Sequence, residues 1–217
     1  MLQGNTELQQ SSFADFEVPD FPRIRKVLRL LQALPPGLCV DLGYCRGSFA
    51  DYLAERGWHC IGYDIVARHE RHAQVESLQG DVLSGIPLAD GVADLITAGE
   101  LIEHLTDEAP FLQECRRVLR PGGILALTTP NLAFTLNRGL VLMGRLPMFV
   151  YAPYHYRMYT VASLSEIVQA NGFRVRRVGA SHTLYSTRRH PSGWVFERMA
   201  DLLPTLGAHI VLLAEKV

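Results

Sequence analysis

An α/β fold, a mostly parallel sheet with helices packed on both faces, is what this 217-residue sequence predicts, and three features predict it. Short apolar runs alternate with segments whose apolar residues recur at helical spacing, from about residue 23 to residue 178. Gly and Pro punctuate the helical segments, at Pro35-Pro36-Gly37, Gly57, Pro121-Gly122-Gly123 and Gly172. The last two strand-like runs, Phe173 to Val178 and Ala208 to Ala214, lack a long crossover helix between them. That suggests an antiparallel hairpin at one edge of a doubly wound sheet.

Taken in order, residues 1–22 form a polar, unpatterned N-terminal segment. A helix is predicted at about 23–34, with Pro22 near its start and Ile24, Val27, Leu28, Leu31 and Leu34 on one face. Leu38 to Leu42 reads as the first strand, and Ser48 caps a helix carrying Phe49, Tyr52 and Leu53. His59 to Tyr63 is the second strand, Gln74 to Leu78 a weaker third, and Val92 to Ala98 the fourth. Thr106 heads a helix with Asp107 and Glu108 in its first turn and Phe111, Leu112, Cys115, Val118 and Leu119 facing inward. Pro121-Gly122-Gly123 breaks that helix before a fifth strand, Ile124 to Thr129. Residues 132–144 look helical, and Met148 to Tyr159 is an aromatic, proline-interrupted loop. Thr160 caps a helix through Leu164, Ile167 and Val168. A short helix at about 194–203 precedes the last strand.

Length and composition fit one domain, residues 23–217, with a lid at about 145–159 and a variable insertion at about 184–204. A hydrophobic content of 48% and a charged content of 20% are those of a globular chain. The formal net charge of -1 gives no reason to expect a nucleic-acid or anionic-membrane partner. Cys39, Cys45, Cys60 and Cys115 form no C-x-x-C pair and read as reduced, mostly buried thiols. With no signal-peptide pattern and no apolar run long enough to span a membrane, a cytoplasmic location is expected.

Chemistry concentrates after the first four strands. Val40 to Gly47 lies on the first strand-to-helix turn, where Gly43 and Gly47 let backbone approach a ligand and the next helix offers free N–H groups. A turn that is merely tight explains these glycines as well, and G-x-G-x-x-G is absent, which disfavours a nicotinamide-dependent dehydrogenase. Asp64, ending the second strand, can accept hydrogen bonds from both hydroxyls of a ribose, and Asp81 after Gly80 can meet an adenine amine. Capping roles compete for both aspartates. Glu100-Leu101-Ile102-Glu103-His104 follows the fourth strand. If it turns helically, Glu100 and Glu103 share a face with His104 beside them. Such donors can hold a divalent cation or act as acid and base, and the competing reading is a solvated charged turn.

Together these residues resemble the class I S-adenosylmethionine-dependent methyltransferases over about residues 38–178. The family's D-x-G-C-G-x-G matches Asp41-Leu42-Gly43-Tyr44-Cys45-Arg46-Gly47; its acidic residue after the second strand matches Asp64. Its G-D matches Gly80-Asp81, its L-R-P-G-G matches Leu119 to Gly123, and its T-P-N matches Thr129 to Asn131. The resemblance implies a Rossmann-like, seven-stranded sheet with an antiparallel last strand. It also implies S-adenosylmethionine held by Asp41, Gly43, Tyr44, Gly47, Asp64, Ile65, Asp81, Val82, Ala98 and Gly99. Tyr44-Cys45 departs from the family's Cys-Gly. The lost glycine is expected to crowd the methionine part of the cofactor or to forbid a conformation with φ > 0.

E-x-x-E-H after the fourth strand is similar to two subgroups, the quinone-biosynthesis O-methyltransferases and the small-RNA 2′-O-methyltransferases. The resemblance implies that Glu100, Glu103 and His104, with His155 as a fourth ligand, hold Mg²⁺ or another divalent cation at the acceptor oxygen. The alternative, preferred here, is His104 acting without metal as a base or acceptor-orienting group beside Glu103 and Glu100. Leu146, Met148, Phe149, Tyr151, Tyr154, Tyr156, Met158 and Tyr159 enrich the lid in apolar rings and sulfur. They fit an aromatic or lipid-like acceptor, or simply pack the loop onto the sheet. Arg174, Arg176, Arg188 and Arg189 imply no wider basic surface, so a nucleic-acid partner is disfavoured. The expected activity is methyl transfer to a small-molecule acceptor, at oxygen. Its rivals are a metal-dependent RNA methyltransferase and a non-catalytic binding or regulatory protein on the same fold.

Overall fold

A computed structural model describes residues 21–44, 49–66, 75–150, 152, 154–184 and 193–217. In chain order its elements are α1 (Pro22–Leu31), β1 (Leu38–Leu42), α2 (Phe49–Ala54), β2 (His59–Asp64), β3 (Val75–Gln79) and β4 (Ala93–Gly99). There follow a 3-10 turn (Ile102–His104), α3 (Glu108–Val118), β5 (Leu119–Pro130), α4 (Thr135–Leu142), α5 (Val161–Ala170) and β6 (Phe173–Ala180). The last are α6 (Gly193–Leu202), a second 3-10 turn (Pro204–Leu206) and β7 (His209–Lys216). The seven strands form one sheet in the order β3-β2-β1-β4-β5-β7-β6. Pairing is parallel from β3 to β5, and β7 runs antiparallel to both of its neighbours. The antiparallel hairpin inferred from the sequence is present, with its last strand inserted inside the sheet rather than at the rim.

Alternation of side chains along each inner strand splits the core into two layers. Val40, Leu42, Ile96, Ala98, Leu125, Leu127, Ile210 and Leu212 face one way, onto Phe111, Leu112, Cys115 and Val118 of α3 and Leu164 and Val168 of α5. Cys39, Leu95, Ala126, Val211 and Leu213 face the other, onto Ile24, Val27 and Leu31 of α1 and Phe49, Ala50 and Leu53 of α2. Strands buried on both faces read as continuous apolar runs, which is why they stood out in the sequence.

Three local expectations need correction. Asp107, not Thr106, caps α3, because its carboxylate accepts from the Ala109 N–H. Pro121-Gly122-Gly123 lies within β5: Leu119 already pairs with Ala93, and the register resumes at Ile124 opposite Leu95. Gly122, at φ 75°, supplies the left-handed residue this irregularity needs. The turn expected over residues 100–104 begins only at Ile102, since Glu100 sits at φ 54°. The expected Ser48 cap lies outside the described residues.

Candidate functional site

The parallel register brings the carboxyl ends of β1, β2 and β4 side by side, with Leu42 between Tyr63 and Ala98. Ligands of open α/β sheets bind along this edge. Gly43, at φ 70°, turns the chain there and donates its N–H to the Tyr63 carbonyl at 2.9 Å. A side chain at this position would be strained by its φ and would press on Leu101. Gly99 is equally constrained on β4, where a Cβ would lie 2.7 Å from the Phe49 ring. Asp64 accepts from the Val66 N–H and exposed Asp81 from the Leu83 N–H, both at 2.9 Å. The capping roles are therefore real. Ile65 is 64% exposed on this rim, whereas Val82 and Ala98 are buried beneath it.

Asp41 and Tyr44 both turn inward. The Thr97 hydroxyl donates to Asp41 Oδ1 at 2.7 Å, and the Phe49 and Ala50 N–H groups donate to Oδ2 at 3.2 and 3.1 Å. Asp41 thus ties β1 to β4 and to the first turn of α2. Burial pushes its acid up to about 7, against the pull of those three donors. Tyr44, 3% exposed, lays its ring over Gly62 and donates its hydroxyl to Asp51 Oδ1 at 2.9 Å. Its side chain fills the core beside α2, and its backbone is not left-handed. Cys45, where the family glycine is lost, and Gly47 lie outside the described residues.

At the end of β4 the two glutamates diverge. Glu100 donates its N–H to the Thr128 carbonyl, and its Oε1 accepts from the Thr128 hydroxyl at 2.9 Å. Arg23 Nε lies 3.6 Å from Oε1, and His209 Nε2 lies 3.5 Å from Oε2. Burial opposes its ionisation, but His209, Arg23, the Thr128 hydroxyl and His104 together hold it below the usual range. Glu103 is buried, with Oε2 accepting from the Thr129 hydroxyl at 3.0 Å and Oε1 without a hydrogen-bond partner among the described residues. Burial, reinforced by Glu100, raises its pKa.

His104 Nδ1 lies 2.9 Å from the Tyr154 carbonyl. A carbonyl only accepts, so Nδ1 carries the proton and a neutral ring presents Nε2 as an acceptor. The His155 ring meets His104 edge-on, with centroids 4.8 Å apart. Its Nδ1 is buried with no hydrogen-bond partner among the described residues, and burial, then His104, lowers its pKa. One ligand atom each from Glu103, His104 and His155 lies within 4.8 Å of the others; Glu100 is not part of that group. The lid holds its place through the Tyr156 N–H, which donates to the Glu103 carbonyl, and through the Asn131–Tyr159 bridge.

The surroundings of Glu100 were not foreseen. Arg23 comes from α1 and His209 from β7, and neither belongs to a local motif. Only Thr128 and Thr129 had a sequence signal, as the end of the fifth strand beside Pro130-Asn131. His209 also stacks near Phe149 and His182, at 5.8 and 6.4 Å between centroids, and burial lowers it to about 4.

A glycine turn after β1, acidic residues after β2 and β3, and a polar cluster after β4, on a sheet ending in an inserted antiparallel strand, define a Rossmann-like methyltransferase domain. A sequence profile described as a methyltransferase domain matches residues 19–178, and the chain belongs to that family. It is 33% identical over 141 residues to a probable S-adenosylmethionine-dependent methyltransferase of Mycolicibacterium smegmatis, covering 63% of this chain and 51% of that protein. It is 34% identical over 130 residues to the dimethylglycine N-methyltransferase of Parasynechococcus marenigrum, covering 54% and 46%. The chain thus spans about half the length of the curated relatives it matches. Its fold is also that of the 1,6-didemethyltoxoflavin-N1-methyltransferase of Burkholderia thailandensis, solved with 1,6-didemethyltoxoflavin and S-adenosylhomocysteine. That likeness has a TM-score of 0.70 at 17% identity and covers 100% of this chain and 87% of the other.

Proposed function

We propose that this chain is an S-adenosylmethionine-dependent methyltransferase acting on an oxygen of a small-molecule acceptor, within a single domain of residues 23–217 in the cytoplasm. One observation carries the reading: Glu103 and His104, with His155 of the lid beside them, sit on the turn whose Leu101 lies against Gly43 of the cofactor edge. The residues along that edge fit the cofactor, since Gly43 turns the chain there at a φ that favours glycine and Asp64 and Asp81 follow neighbouring strands. S-adenosylmethionine, when bound, supplies an electrophilic methyl group. What the protein adds is placement of the acceptor and a destination for its proton. His104, fixed by the Tyr154 carbonyl, offers Nε2 to an acceptor hydroxyl. The lid fixes this imidazole through its backbone, so lid position and base position are set together.

A second reading is favoured by two buried atoms with no hydrogen-bond partner among the described residues, Glu103 Oε1 and His155 Nδ1. Buried polar atoms without partners are uncommon, and a divalent cation would satisfy both. Glu103, His104 and His155 would hold it, and it would lower the pKa of the acceptor hydroxyl. The names of relatives leave the acceptor atom open, since dimethylglycine N-methyltransferase stands beside the ubiquinone biosynthesis O-methyltransferase of Leptothrix cholodnii, 28% identical over 102 residues. An RNA acceptor finds less support, because Arg176 is occupied by Glu215.

Calorimetric titration with S-adenosylhomocysteine, with and without Mg²⁺ or Mn²⁺, tests the proposal. Micromolar binding is expected, and methyl transfer to phenolic or sugar hydroxyls should follow in a screen. No heat at millimolar ligand would overturn it and leave the non-catalytic binding protein. A metal-dependent heat that disappears in Glu103→Ala would favour the cation.

A further inference from the structure

Helix α4 is built inside out. Its one buried side chain is Asn137, which donates to the Asn131 and Leu132 carbonyls and accepts from the Met148 N–H. Its outer face, and the turn that continues it, present Leu136, Val141 at 56% exposure, Leu142 at 88%, Met143 at 66% and Leu146. Soluble proteins rarely leave so many large apolar side chains together in water, and such patches mark interaction surfaces. Thr135 donates to the Leu206 carbonyl and Arg138 reaches the Thr205 carbonyl, so α4 is held to the turn before β7 by polar bonds and not by its apolar residues.

The charge on α4 and the turn after it has one sign. Residues 132–159 contain Arg138, Arg145 and Arg157 and no aspartate or glutamate. Arg157 is taken by Glu108 at 2.9 Å, whereas Arg138 and Arg145 meet no carboxylate among the described residues. A net charge of -1 for the whole chain therefore conceals a local cationic, apolar face. An apolar helix face edged by arginines is the composition that lies in a bilayer interface, with leucine and methionine among the acyl chains and arginine at anionic headgroups. No described helix is long and apolar enough to cross a membrane, so the mode is attachment.

We propose that α4, with the turn after it, docks this protein on the surface of an anionic phospholipid bilayer. Purified protein floated with phosphatidylcholine vesicles, with and without phosphatidylglycerol, tests this. Binding is expected to vesicles containing phosphatidylglycerol and to weaken as salt rises. Leu142→Gln/Met143→Gln should weaken it at least about tenfold, and Arg145→Gln should remove much of its salt dependence. Both variants change exposed side chains outside the site, so their circular dichroism and S-adenosylhomocysteine affinity should match the wild type. That second readout separates failure of this docking face from failure of the proposed activity. Wild-type protein that stays free of both vesicles would overturn the proposal. So would full binding by the double variant, or a dimer in light scattering that Leu142→Gln/Met143→Gln turns into monomer, which would make a second copy the occupant.

Discussion

Asp41 is fully buried among three donors, yet its acid is pushed up to about 7. An unfolded chain titrates aspartate near 3.9, so between those values the folded state holds more protons. The contribution of Asp41 is complete below about pH 4 and is lost as pH rises through about 7. Asp41→Asn can keep the contacts with Phe49, Ala50 and Thr97 while having no proton to lose. In urea unfolding its stability relative to wild type should rise by about 3 kcal/mol from pH 4.5 to 7.5; a difference that does not vary with pH would contradict this. At the site, His104→Gln should lower kcat by about 100-fold or more and leave the Kd for S-adenosylhomocysteine within about twofold. Equal losses in both would mean that the histidine shapes the cofactor edge instead. Residue types here were legible from spacing, but directions were not. Glu100 looks like a twin of Glu103 in E-x-x-E-H, and only its left-handed backbone sends it to Arg23 and His209.

Among the elements, α5 has the best-defined start. Thr160 Oγ1 accepts from the Ser163 N–H while Ser163 Oγ accepts from the Thr160 N–H, a reciprocal cap directly after the lid. Thr160→Ala should cost about 1 kcal/mol and lower Tm by about 2–4 °C in a thermal melt. An unchanged Tm would show that Tyr159 and the Asn131 bridge, not the cap, anchor this end of the lid. Strands and helices were legible here because both core layers repeat at their own periods. Two features escaped that reading for physical reasons. A Pro-Gly-Gly run stops a helix, but in β5 it becomes a kink that the parallel neighbour tolerates. In α4 the apolar residues suggested a helix without saying that they face outward, because the partner that buries Asn137 is backbone from the preceding loop.

For the molecule as a whole, binding at the cofactor edge should appear as stability. S-adenosylhomocysteine at about 100 times its Kd should add about 2.7 kcal/mol and raise Tm by about 5–10 °C in a thermal-shift assay. No shift at millimolar ligand would speak against the cofactor edge itself. The overall topology was readable because parallel sheets need crossovers and this chain supplies them until Phe173. His209 was not assigned to the site because a residue carried on an inserted antiparallel strand reaches it from far along the sequence.

That inserted strand sets an order of events during synthesis. β7 supplies hydrogen-bond partners to β5 on one side and β6 on the other, yet roughly eighty residues separate Pro130 from His209. At about 5–20 residues per second, the Ile124–Leu127 edge of β5 waits about 4–16 s for its neighbour. During that interval the nascent chain carries a half-finished sheet with an apolar rim, a template for pairing with other chains. A chain halted before His209 should bind a dye for exposed apolar surface, and one extended through Lys216 should not.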